Sequence, residues 1–266
     1  MIIKQLLIYF WKTLQWTQVL FRFSRTNKDK DYFKIYYGGA VSGNYGGPRV
    51  KIKRMKMFFP QYFGNFNLIY LLSNSLYVTP KFINYFKKKN IPIVLNQNGV
   101  FFPGWYLNDW KSMNSLMSFY YHRADYVFYQ SKFCKKSANH FLGKRKGNGE
   151  ILYNAVDTNF FKPRDSRKKN KTFTFLITGK ITFDLSYRVE YSILGLNYAL
   201  NKGLNAKLII AGKCDNKTVK KNLLIAKELD LLNNIKFVGP YKQEQAVNIY
   251  QMADAYIMMK YLDPCP

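Results

Sequence analysis

Several residues of this sequence have the type and spacing to hold or stabilise an anion. The pairs Gly38-Gly39 and Gly46-Gly47 bracket a loop, GGAVSGNYGG at 38–47, that runs through Pro48 into a helical pattern. Gly179 closes an apolar run, Lys180 follows it directly, and Arg188 lies further along. Gly212 and Gly239 close two more apolar runs. Glycine lets a ligand approach the backbone, and the first N–H groups of a helix lack partners and attract negative charge. Lysine supplies a point charge and arginine a planar fork of donors. Together these suit the phosphates of a ligand, or a phosphate whose charge grows as a bond breaks. The same residues have a plainer reading, in which glycine ends a strand for turn geometry and the cations are solvated.

Composition narrows the classes. The chain has 266 residues with 42 Lys+Arg against 15 Asp+Glu, a net charge of +27. Its 48% hydrophobic and 18% aromatic content excludes a disordered chain, which would combine high charge with low hydrophobicity. Lysine outnumbers arginine 33 to 9 and asparagine reaches 24, so compositional bias competes with selection for an anionic partner. Either way, the charge attracts nucleic acid and anionic membrane. Cys134, Cys214 and Cys265 are too few and too scattered for a disulfide framework, so a reducing compartment is expected. No apolar run is long enough and free of charge to span a bilayer.

The elements that would position the glycines alternate between strand and helix. Residues 1–25 read as an amphipathic helix lying on the protein body or on a membrane interface. Strands are expected at 32–37, within 67–77, at 91–95, 126–129 and 151–153. Helices are expected at 48–59, 80–89 and from an N-cap at Ser131 to Leu142. Residues 143–149 read as a Lys/Gly loop, and 162–171 (KPRDSRKKNK) as a charged linker. Strands then recur at 172–178, 206–211, 235–238 and 255–259, with helices at 186–201, 218–229 and 243–252. Alternation of this kind implies parallel sheets with helical crossovers, hence two doubly wound α/β domains, 1–161 and 172–266. Ligands of such folds sit outside the carboxyl ends of the strands.

The order of motifs resembles retaining glycosyltransferases of the GT-B fold, family 4 type. The matching pieces are the loop at 38–47, ADYVFYQSKFCKKSA at 124–138, YNAVDTNFFKP at 153–163, TGK at 178–180, LIIAGK at 208–213, NIKFVGPY at 234–241 and IYQMADAYIMMKYLDPCP at 249–266. The resemblance implies two Rossmann-like domains and transfer of a sugar from a nucleotide-diphosphate sugar to an acceptor hydroxyl. It implies an acceptor-side first domain and a donor-side second domain. The expected donor contacts are Gly38, Gly39, Gly46, Gly47, Gly179, Lys180, Arg188 and Gly212, with no metal and no cofactor. The implied acceptor is a glycan or lipid-linked glycan of a cell-surface polysaccharide or lipopolysaccharide. The implied place is the cytoplasm, on the inner face of the plasma membrane.

Two departures accompany the resemblance. Where many members carry a His, this chain has LNQNGVFFPGWY at 95–106, which makes Asn98 the candidate beside the reacting sugar. An amide can bond a hydroxyl but is no base near neutral pH. His122 and His140 fall in helical contexts away from that stretch. The chain also stops at Asp263-Pro264-Cys265-Pro266, before the family's helix with two spaced Glu residues, so the second domain is expected to be incomplete. Asp29-Lys30-Asp31 matches a metal-binding pattern of a different fold but reads as a solvated turn. The basic, aromatic-rich segment RVKIKRMKMFFPQYF at 49–63 suits anionic lipid. A nucleic-acid-binding protein and a non-catalytic remnant are the competing readings. The charge is spread along the chain and no nucleic-acid module is recognisable, so no specific nucleic acid is expected. A nicotinamide-dependent oxidoreductase lacks its Gly-x-Gly-x-x-Gly after the first strand.

Overall fold

The computed structural model describes residues 2–23, 32–44, 46–104, 106–163 and 172–261. Asp29-Lys30-Asp31, most of the charged linker and the final residues 262–266 lie outside the described residues. The chain divides into two compact units, one holding residues up to 103 with 108–154, the other 104–107 and the chain from 155 onward.

The first unit is built on a parallel sheet of β1 (Ile35–Tyr36), β2 (Leu68–Leu72), β3 (Ile93–Gln97), β4 (Tyr126–Tyr129) and β5 (Asn148–Ile151), in that order. Around it lie α1 (Ile2–Arg22), α2 (Gly47–Phe58), α3 (Pro80–Lys88), α4 (Trp110–Arg123) and α5 (Lys132–Leu142). Alternate strand residues point to opposite faces. Ile35, Tyr37, Tyr70 and Leu72 pack with Ile52 of α2 on one face. Tyr36 points the other way, onto Phe66 and Phe82 of α3, and Trp16 of α1 packs on that same Phe82. Ile35 also forms a parallel bridge to Gln61, and Tyr62 N–H donates to the Ile35 carbonyl. Since β2 bonds through the neighbouring Lys34 carbonyl, Gln61 sits on the opposite side of β1. β1 is thus the edge strand of the sheet, with only this single bridge on its far side.

Three helices of the first unit start on side-chain caps. Thr79 accepts from Phe82 N–H, Asp109 from Ser112 N–H and Ser131 from Cys134 N–H, each occupying a donor left over at the helix start.

The second unit has the parallel strands β6 (Phe173–Thr178), β7 (Ala206–Ala211), β8 (Ile235–Gly239) and β9 (Ala255–Tyr256), ordered β8-β7-β6-β9. Its helices are α6 (Tyr187–Asn201), α7 (Asn216–Glu228) and α8 (Ala246–Gln251). Ile177, Leu208 and Ile210 pack with Val189 and Ile193 of α6 and Ala226 of α7. On the opposite face Leu176, Ile209 and Ala211 pack with Ile249 of α8. The chain thus runs outward from β6 to β8, then crosses back to β9 on the other side of β6. In this unit the order reverses at its first strand, β6.

Four elements differ from the sequence reading. β1 keeps only two paired residues of 32–37. β9 keeps two of 255–259, although Ile257 N–H still donates to the Leu176 carbonyl. β5 lies at Asn148–Ile151 and not at 151–153. Gly149 is the reason, because a Cβ there would stand 2.6 Å from the Val127 carbonyl oxygen, so glycine belongs in the strand and not in a loop. α4 has no counterpart in the sequence reading. Its buried face is Asn114, Met117, Tyr120 and Tyr121, a polar and aromatic set that gives no apolar stripe. Asn114 is satisfied by accepting from Phe101 N–H and donating to the Phe101 carbonyl.

Phe86 of α3 is fully buried, with the rings of Phe23, Phe66, Phe82 and Tyr85 all centred within 5.0 Å of it. Phe86→Ala is expected to destabilise the first unit by about 3–5 kcal/mol, read as a lower midpoint in denaturant unfolding followed by circular dichroism.

Candidate functional site

The carboxyl end of the strand at which the order reverses is where open α/β sheets bind ligands. In the second unit that strand is β6, and its end is Thr178-Gly179-Lys180. Strand order sets three strand-closing glycines side by side: Gly179 N–H donates to the Ala211 carbonyl, and Gly212 N–H to the Gly239 carbonyl. Gly212 has φ +118°, and a Cβ on it would collide with the Gly179 carbonyl oxygen. Only glycine permits this approach of two chain segments. The site is therefore a floor of bare backbone at the ends of three strands.

Arg188 lies against this floor. It is 5% exposed, and its Nη2 donates to the Thr178 carbonyl at 3.2 Å. Its Nη1 would be 3.2 Å from a Cβ on Gly179. Its Nε is buried and bonds nothing in the structure. Among the described residues no carboxylate forms an ion pair with it. A buried guanidinium without a counter-charge is costly, so this arrangement favours an anion at the Gly179 turn. Lys180 is exposed at the same turn.

The loops after β6 and β7 are tied by one carboxylate. Asp215 caps α7 by accepting from Thr218 N–H at 2.7 Å, and its second oxygen accepts from Phe183 N–H at 2.6 Å. The Thr218 backbone bond above all holds this carboxyl below its usual range, and the Phe183 bond adds to it. Cys214 beside it is no activated thiol, since burial pushes its pKa up and the Asp215 charge adds to that.

In the first unit the edge strand β1 runs out into Gly38-Gly39. These two glycines face packing: a Cβ on Gly38 would lie 2.5 Å from Leu71 Cδ2, and one on Gly39 3.0 Å from Gln15 Cγ. Trp11 Nε1–H donates to the Gly39 carbonyl at 3.1 Å. Gly46 and Gly47 differ, because nothing lies within 4 Å of a Cβ at either. Of the four expected glycines, the second pair thus borders open space at the start of α2, which has no side-chain cap.

The ends of β2, β3 and β4 gather amides. Asn98 donates through Nδ2 to Asn74 Oδ1 and accepts from Gln130 Nε2, while its own N–H donates to Ser73 Oγ. Asn98 is therefore pinned at both ends of its amide. Lys51 of α2 bridges Asn96 Oδ1 and Asn154 Oδ1 at 3.1 and 2.9 Å. The sequence reading names neither Lys51 nor Asn154 as a site residue; their pairing depends on a fold that joins positions far apart in the chain. His122 bonds the Leu142 carbonyl at a helix end. Among the described residues no three His, Cys, Asp or Glu side chains form a group that could hold a metal ion.

No family model and no curated protein matches this sequence. Solved structures do match its fold. Alr3699/HepE from Anabaena, solved with UDP and glucose, superposes with a TM-score of 0.55 at 17% identity, over 73% of this chain and 53% of its own. Sucrose-phosphate synthase from Thermosynechococcus elongatus gives 0.58 at 13% identity, over 81% and 54%. The lipopolysaccharide outer core galactosyltransferase WaaB, without ligand, gives 0.52 at 14%, over 82% and 55%. This chain has the GT-B fold. It spans about half the length of those structures.

Asp215→Ala is expected to cost about 1 kcal/mol through loss of the α7 cap, lowering the thermal midpoint at pH 7. Because the folded carboxyl titrates below 3.8, its contribution is present at neutral pH and fades as pH falls through that lowered value. The gap between variant and parent should accordingly narrow below pH ~4 in unfolding curves taken across pH.

Proposed function

We propose that this chain transfers a sugar from a nucleotide-diphosphate sugar to an acceptor hydroxyl. The observation that carries the reading is the buried Arg188 at the end of the order-reversing strand β6, with its Nε unbonded and no carboxylate paired to it among the described residues. The neighbours add support, since HepE was solved with UDP and glucose and with UDP-glucose, and WaaB is a lipopolysaccharide galactosyltransferase.

In this reading the diphosphate lies on the Gly179–Gly212 floor. Lys180 and Arg188 offset the charge that grows on it as the bond between the sugar carbon and the phosphate oxygen breaks. The acceptor oxygen forms the new bond to that carbon. The departing phosphate oxygen takes the acceptor proton, so the chemistry uses no side-chain base and no metal. The family resemblance also makes Gly46, Gly47, Gly38 and Gly39 of the first unit candidate donor contacts. Asn98, held at both ends, would present its remaining N–H and lone pair to a sugar hydroxyl and act as a positioning residue. The acceptor would be a glycan or lipid-linked glycan of a cell-surface polysaccharide or lipopolysaccharide, reached at the inner face of the plasma membrane. Among the described residues no helix is long and apolar enough to cross a membrane.

Titration calorimetry with UDP and a panel of UDP-sugars tests the donor site. Arg188→Ala and Lys180→Ala are each expected to weaken UDP binding about tenfold or more, as loss of a charge-assisted bond implies. Arg188→Lys guards against a folding defect, because it keeps the charge and should retain part of the affinity. If the parent binds no nucleoside diphosphate, or both alanine variants bind as the parent does, the reading fails.

A further inference from the structure

The inner face of α1 is accounted for by packing. Val19 is fully buried, Gln15 accepts from Tyr36 Oη–H, Trp11 bonds Gly39, and Trp16 meets Phe82 and Tyr85 of α3. The outer face is not. Leu6, Tyr9, Phe10, Leu14, Leu20 and Phe21 point to solvent, Phe10 being 61% and Phe21 91% exposed. Their spacing puts them on one side of the helix along roughly 22 Å of its length. The polar residues among them carry no charge. Thr13 and Thr17 turn their hydroxyls back onto the Tyr9 and Thr13 carbonyls, so they present methyl groups outward. An uncharged, largely apolar helix face of this length is out of place on a chain with a net charge of +27.

The flank of that face has the opposite character. Tyr85, the α3 residue against Trp16, has Lys81 and Lys88 one turn away on either side, and Lys89 Nζ lies 5.4 Å from its ring. Neither α1 nor α3 contains an acidic residue. A second copy of the chain is a poor occupant, because a two-fold contact would bring the lysines of both α3 helices together. An anionic bilayer surface satisfies both parts at once, with acyl chains for the apolar face and headgroups for the lysines.

We propose that α1 is a membrane-docking element that lies in the plane of an anionic bilayer with its Leu6–Phe21 face in the lipid boundary. The helix cannot cross the bilayer while its inner face stays packed on the sheet. The proposal stands apart from the donor-site reading, since it uses no residue of that site.

The test is co-sedimentation of the full chain with vesicles of equimolar phosphatidylglycerol and phosphatidylcholine. The double variant Phe10→Ser/Phe21→Ser leaves the charge unchanged and removes only exposed rings, so its circular dichroism should match the parent. Its partition onto these vesicles is expected to fall about tenfold or more. Raising salt should weaken the parent's binding further. An unchanged partition in the double variant would mean that charge alone attracts the chain, and would overturn the proposal. Sedimentation velocity supplies the other overturning result: a dimer of the parent that the variant abolishes would assign the face to a second copy. UDP titration of the same variant, expected to match the parent, keeps this outcome separate from that of the donor site.

Discussion

The contact on which the candidate donor site depends is between two backbones. Gly212 packs so closely on the Gly179 carbonyl that no side chain fits between them. That contact exists because β6 and β7 are parallel neighbours in register to their last residues, Thr178 opposite Ala211. It leaves the strand ends bare, and a bare end lets the Arg188 guanidinium reach the Thr178 carbonyl from beneath the turn. Asp215 then joins the two loops by bonding the N–H groups of Phe183 and Thr218. Position, charge and rigidity of the site follow from one steric fact.

The second unit is built around one topological device. The chain starts its sheet at β6, adds β7 and β8 on one side and places β9 on the opposite side. Helices cannot cover the end of such a strand, because the connections on its two sides leave in opposite directions. Glycine-rich turns therefore end up open where the order reverses. In the first unit β1 is the edge strand, with only the Gln61 bridge on its far side. Its end is partly filled, since Gly38 and Gly39 support Leu71, Gln15 and Trp11, while Gly46 and Gly47 remain bordered by space.

Charge is used unevenly in this molecule. Most of the lysines and arginines among the described residues are exposed. Arg188 is the exception that matters for the site, because burial removes the water that would screen it. The α1 surface is the reverse case, an uncharged face beside lysines. Neither feature follows from the net charge, which only describes the attraction felt at a distance.

Much of the architecture was legible in the sequence. The apolar periodicity of 187–201, the Ser131 cap and the glycines closing 173–178 and 206–211 are local signals, and local signals survive without the fold. They determined the α/β class, the parallel strands and the place of the strand-closing glycines. What only the tertiary structure decided is what each residue faces. Gly149 is a strand residue because Val127 lies beside it, and α4 is a helix whose Asn114 finds both its partners at Phe101. Arg188 is buried with its Nε unbonded, Asn98 is held at both ends, and Gly46 borders space where Gly38 does not. These are relations between positions far apart in the chain. Burial and partnership come from packing, and a linear pattern carries propensity and periodicity but not the neighbour across the sheet.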